Sequence, residues 1–185
     1  MAKHVKEPAW AAEDVTDLIT KASFFLYRDK EFRRAIDGFD SMEQAEQDRI
    51  FNEIVVSGIA LAVLMYQTFA DKAQNDEKRS IFLELRTEME SRYGNNLREL
   101  GVEEEFAGLW KGLIRMRVDE YQSDFKKHRK ELGPLEQINP WPIVVGIGGT
   151  DHISRGKAKP ESELFRIFRH WTFNLSEKIL KATTK

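Results

Sequence analysis

The stretch PWPIVVGIGGTDHISRGKAKP, residues 140 to 160, decides the fold class of this chain. The sequence on either side is charged and patterned as helix. Here an apolar run ends in glycines and is followed by Asp151, His152, Arg155 and Lys157. Residues 133 to 160 show no helical periodicity, and so long a connection in a compact domain is usually functional, disordered or the carrier of a strand. Its most ordered piece is Ile143 to Ile147, rich in β-branched residues and bounded by Pro142 and the glycines, which reads as one short strand.

Immediately before it, Phe106, Trp110, Ile114, Val118, Tyr121, Phe125 and Leu132 recur at helical spacing, with Glu103, Glu104 and Glu105 in the acidic first turn that a helix dipole favours. Gly133 and Pro134 are expected to stop that helix. Immediately after it, Pro160, Glu161 and Glu163 open a last helix, whose inward stripe is Leu164, Phe168, Trp171, Leu175 and Ile179.

Further back, Val15, Leu18, Ile19, Ala22, Phe25 and Leu26 form one helical face. A shorter helix with Phe32, Ile36 and Phe39 inward follows, closed by Gly38 and Asp40. Ser41 and Gln44 have the form of a capping box, so a long helix is expected to begin there. It runs through IVVSGIALAVLMY, residues 54 to 66, which is apolar on nearly every side and belongs at the centre of a bundle. That segment is too short to cross a bilayer, and Glu53 and Gln67 flank it. Ile81, Leu85, Met89 and Tyr93 define another amphipathic helix ending at Gly94, with one more turn at Leu97 and Leu100. The expected fold is all-α, a bundle of five or six helices in one domain, most simply up-and-down, with at most one strand in the 133–160 connection.

Composition narrows the function. The chain has 185 residues, 41% apolar and 32% charged, with a formal charge of −2 and no cysteine. No global field recruits nucleic acid or an anionic membrane, and neither is an expected partner. The absence of cysteine excludes disulfides, thiolate metal sites and cysteine nucleophiles, and it fits a reducing compartment, so the cytoplasm is the expected location. The N-terminus lacks the apolar core of a signal peptide.

The glycines raise the question of phosphate binding, which needs converging backbone N–H groups between a strand and a helix. The dinucleotide pattern G-x-G-x-x-G could use Gly146 and Gly148, but Asp151 stands at its third glycine. The P-loop pattern fails too: more than four residues separate Gly149 from Gly156 and Lys157, and Ala158 replaces the hydroxyl residue. A weaker anion site remains, because residues 126 to 159 carry seven Lys or Arg against three acids within a chain of net charge −2.

Metal chemistry of the ferritin-like kind requires Glu-x-x-His, and none of His4, His128, His152 and His170 has Glu three residues before it. Glu46 and Glu53 flank Arg49 at ladder spacing on the central helix. Asp124, His128 and Glu131 share a helical face, but Lys and Arg crowd it and repel a dication. Glu163, His170 and Glu177 lie along one side of the last helix, where a histidine beside Trp171 reads as a core-edge residue bonded to a neighbouring helix.

The functional expectation is an intracellular, non-catalytic module acting through protein–protein contact or self-association, a homo-oligomer whose Ile143 to Ile147 strand pairs with a partner because an isolated strand leaves its backbone groups unpaired. The alternative is binding of a small anion or nucleotide by Gly146, Gly148, Gly149, Asp151, His152, Arg155 and Lys157, or an unconventional carboxylate–histidine metal site. No cofactor is assigned.

Overall fold

The computed structural model describes residues 7–132, 139–159 and 161–183. Seven α-helices are found among them: α1 (Pro8–Arg28), α2 (Lys30–Arg34), α3 (Gln44–Asp71), α4 (Asp76–Glu99), α5 (Glu104–Leu132), α6 (Trp141–Ser154) and α7 (Glu163–Thr183). A single 3-10 turn, Phe39–Ser41, lies between α2 and α3. Helix α3 is the axis. The remaining long helices surround it in the order α1, α4, α5, α6, α7, and α7 closes the ring against α1.

Local chemistry explains most of the boundaries. Proline in the first turn of α1 loses no useful hydrogen bond. Asp29 ends α1 and starts α2, its carboxylate accepting from the N–H groups of Glu31 and Phe32 at 2.9 Å each. Asn75 caps α4 by accepting from Lys78 N–H. That helix ends in a Schellman motif, with Gly101 left-handed at φ 86° and Val102 N–H bonded to Leu97 O. Ser162 caps α7 through Phe165 N–H.

The capping box expected at Ser41 does not form. Ser41 lies in the 3-10 turn and donates its hydroxyl to Gly38 O at 2.8 Å, while α3 starts after Glu43 with no side-chain cap. Gly94 does not end a helix either: it sits inside α4, where a Cβ would stand 2.9 Å from Ala107 O, so it lets the start of α5 approach. The expected stop at Gly133 and Pro134, and the opening proline at 160, lie outside the described residues.

The larger correction concerns residues 143 to 147. No strand occurs among the described residues, and Ile143 to Ile147 lies inside α6. Trp141, Pro142, Val144, Val145, Gly146, Gly148, Gly149, Thr150 and Ile153 are all buried, so α6 is enclosed on most sides. Its narrow outer line runs through Ile143, Ile147 and Asp151, and because two of these are isoleucines it gives the sequence no polar stripe to mark a helix. The backbone groups that an isolated strand would have left open are bonded within the helix. Pairing of this segment as a strand with a partner therefore falls away.

Nor is shortness what keeps α3 in the core. The helix is long and apolar enough, by length and composition alone, to cross a membrane. What marks it as a core helix is that 83% of its most apolar window is buried against the ring. Every residue from Glu53 to Tyr66 is buried. Gly58 lies at its tightest point, where a Cβ would stand 2.6 Å from Ile19 Cγ2 of α1 and 3.3 Å from Leu175 and Trp171 of α7.

Candidate functional site

The seven residues singled out around the glycines do not converge. Gly146, Gly148 and Gly149 lie within α6, with their N–H groups in the helical ladder rather than aimed at a common point. Each serves a close helix contact instead. A Cβ at Gly146 would stand 3.3 Å from Arg169 Cα of α7, at Gly148 2.9 Å from Tyr121 Cδ1 of α5, and at Gly149 2.9 Å from Ser57 Oγ of α3, with Phe168 of α7 still nearer. Thr172 seals the α6–α7 contact by donating to Pro142 O at 2.7 Å.

The other four sit at the end of α6. Asp151 is exposed, and its carbonyl accepts from Gly156 N–H in a second Schellman turn. The residue that takes the left-handed position there is Arg155, at φ 53°, where glycine would be unstrained. Its guanidinium reaches Glu46 of α3, at 3.1 and 2.5 Å. Lys157 is exposed beside it.

Glu46 belongs to a polar seam between α3, α5 and α6. Arg49 is bonded to Glu46 at 2.8 and 3.0 Å, and it also donates to the His152 and Ile153 carbonyls at 2.8 and 2.9 Å. A cation thus caps the negative end of α6. The hydrogen bond from Arg49 comes first, with the one from Arg155 adding to it, and together they outweigh desolvation and hold the Glu46 carboxyl down at about 2.

The Glu46–Arg49–Glu53 ladder forms only in part, because Glu53 turns to Arg117 of α5 at 2.7 and 3.1 Å. Both are nearly buried, at 11% and 12% side-chain exposure. Burial opposes the Arg117 charge, but the hydrogen bond and charge of Glu53 prevail and raise its pKa. Arg117 also holds Glu120 at 3.0 Å. The same oxygen of Glu120 lies 3.1 Å from His152 Nε2, off hydrogen-bond alignment. Beneath, Ser57 and Tyr121 share a buried hydrogen bond of 3.0 Å. Burial pushes the Tyr121 phenol far above its ordinary range.

The sequence held one signal for this seam: Glu53 is a carboxylate set beside the most apolar run of the chain, and a buried charge requires a partner. Arg117 could not be named as that partner from spacing, since the two are distant along the chain.

A half-open groove of about 520 Å³ adjoins the seam. Ile36, Met42, Ile153 and Leu164 line its apolar part. Its charges balance, with Arg155, Lys157 and Lys159 against Asp37, Glu46 and Glu161.

Among the described residues no three of His, Asp and Glu come together as metal ligands. His128 and Glu131 are exposed and lie 3.2 Å apart, while Asp124 pairs with Lys127. His170 is exposed and bonds Asn174 of its own helix at 2.9 Å, rather than a neighbouring helix.

Helix α5 carries one feature that sequence inspection passed over. Its outer side shows Phe106, Leu109 and Met116 at 55%, 65% and 51% exposure. Among them stand Gly108 and Gly112, and a Cβ at either would meet no atom within 4 Å. Glycine inside a helix costs about 1 kcal/mol relative to alanine. At Gly148 and Gly149 close packing accounts for that cost, whereas at Gly108 and Gly112 nothing among the described residues does. The signal was present in GLWKG, two glycines four positions apart within a strong helical pattern.

No protein family, no curated protein and no solved structure matches this chain.

Proposed function

We propose that this chain is an intracellular, non-catalytic module that works by associating with a protein surface, and that the outer face of α5 makes the contact. The observation that carries this reading is the pair of open glycines, Gly108 and Gly112, set among exposed Phe106, Leu109 and Met116. Exposed apolar side chains scattered singly are ordinary, but Leu109 and Met116, seven positions apart on the side of the helix that carries the unfilled glycines, fit a surface that another backbone approaches closely. The seam of ion pairs supports a structural use of the polar residues, since their charges are taken up by one another.

The test is light scattering on the native chain and on the Leu109→Glu/Met116→Glu variant. Both positions are exposed, so the variant should fold as the native chain does. The expected result is an assembled mass for the native chain that the variant loses at unchanged melting temperature. A native chain that stays monomeric and keeps no partner through gentle purification ends the proposal.

A second reading is a small anionic ligand beside Arg155 and Lys157. It draws support from the volume of the groove and from the left-handed backbone of Arg155, a conformation an L-residue adopts at some cost. The balanced charge of the lining makes it the weaker of the two. Thermal shift with inorganic phosphate tests it, and no stabilisation at millimolar ligand removes it.

A further inference from the structure

We infer that the partner of the α5 face is a second copy of this chain, with the two α5 helices antiparallel and Glu105 of each beside Lys126 of the other. This rests on the reading of α5 as the contact face and adds to it the identity of the occupant and its direction.

The argument is one of charge and size along a single helical face. Glu105, Gly108, Gly112, Met116, Asp119 and Lys126 are exposed and follow one another at spacings of three, four or seven, so they run along one side of α5. That side begins acidic and ends basic. A parallel pair would set acid against acid and base against base, whereas an antiparallel pair matches them.

A two-fold axis between Arg115 and Met116 brings Glu105 opposite Lys126. The same register sets Gly108 opposite Ser123 and Gly112 opposite Asp119, so a glycine meets a short side chain at each step and the backbones can approach. Met116 then packs across the axis. Arg115, beside it, already has its charge answered by Glu90 of α4 at 2.9 Å, which limits repulsion between the two copies there. A two-fold contact of this kind is closed, using the same patch on both subunits.

The chain has no cysteine, so single introduced cysteines report the pairing without background. Native mass spectrometry should first show a dimer. Under mild oxidation Met116→Cys should link to itself, and Glu105→Cys should link only when mixed with Lys126→Cys. Glu105→Cys linking to itself would mean a parallel pair and overturns the inference. A dimer in which Met116→Cys does not link places the contact elsewhere, which overturns both the antiparallel pairing and the α5 face but leaves association standing. A strictly monomeric chain overturns the second copy. The α5 reading survives that result only if the native chain retains another protein that the Leu109→Glu/Met116→Glu variant releases.

Discussion

Three glycine-to-alanine substitutions separate the roles that glycine plays here, and their order can be worked out before any measurement. At Gly149 the new methyl gains about 1 kcal/mol of helix propensity. It is driven against the Phe168 ring, which is fully buried, and stands 2.9 Å from Ser57 Oγ. Overpacking of this kind costs about 1–3 kcal/mol, and displacing Ser57 from Tyr121 costs about 1 kcal/mol more. The net loss is about 2 kcal/mol, a fall in melting temperature of about 4–8 °C for a chain of this length.

At Gly108 the propensity gain stands alone, because nothing lies within 4 Å, and the melting temperature should rise by about 2–4 °C. At Gly101 there is equal space, but φ is 86°, so alanine meets a left-handed backbone that costs about 1–2 kcal/mol. Denaturation followed by circular dichroism, at a dilution where the chain is monomeric, gives all three. The expected order of stability is Gly108→Ala above native, then Gly101→Ala and Gly149→Ala below it. A Gly149→Ala chain as stable as native would refute the close-contact account of α6.

Other expectations follow from the polar seam and the core. Arg117→Met leaves Glu53 buried without its cation and should cost about 3–5 kcal/mol, while the double change with Glu53→Leu recovers most of it; a single-variant loss below about 1 kcal/mol in urea denaturation would contradict this. The carboxyl of Glu46 is held at about 2, against an ordinary 4.5. Its contribution is therefore complete above pH 4.5 and lost as pH falls towards 2, so the stability gap between native and Glu46→Gln chains should narrow across that window. Because Glu46 is partly exposed, that gap should not exceed about 1 kcal/mol. Tyr27, Tyr66, Tyr93 and Tyr121 all have phenols raised above 10 by burial, Tyr66 to about 12. The stability they contribute is present below pH 10 and lost as pH rises through their folded values. Phenolate absorbance from the three buried residues, Tyr66, Tyr93 and Tyr121, should therefore appear together with loss of helical signal, and ionisation of more than one tyrosine at pH 10 in a fully helical chain would count against the packing described.

The helices with one wet side could be read directly. In α7 the spacing of Leu164, Phe168, Leu175 and Ile179 follows the buried stripe, because the opposite side is exposed and, apart from Phe173 and Leu180, largely polar. Helix α6 could not be read this way. Burial on most of its sides removes the alternation that reveals a helix, and Ile143, Val144 and Val145 then look like a strand. A fainter clue was the spacing of Pro142, Gly146, Gly149 and Ile153 by four, three and four, which lines them along one helical side.

The seam was hidden for a different reason. Glu53 and Arg117, or Arg155 and Glu46, are brought together by the ring of helices around α3, and no local pattern specifies such a pairing. The α5 glycines were open to view, since an unexplained glycine within a helical run is a sequence-level anomaly.

The position of α3 at the centre of the ring also has a consequence for biosynthesis. Its wall is completed by α6 and α7, through ties such as Arg49 to the His152 carbonyl and Tyr66 to Thr183, which span 103 and 117 residues of chain. At synthesis rates of about 5–20 residues per second, the apolar flank of α3 that these helices cover stays bare for on the order of ten seconds after it leaves the ribosome. A nascent chain that stalls before Trp141 would present a helix with the hydropathy of a membrane span and no cover on that side. This protein should therefore depend on chaperones most during synthesis of its last quarter, and a C-terminal truncation should aggregate rather than fold partially.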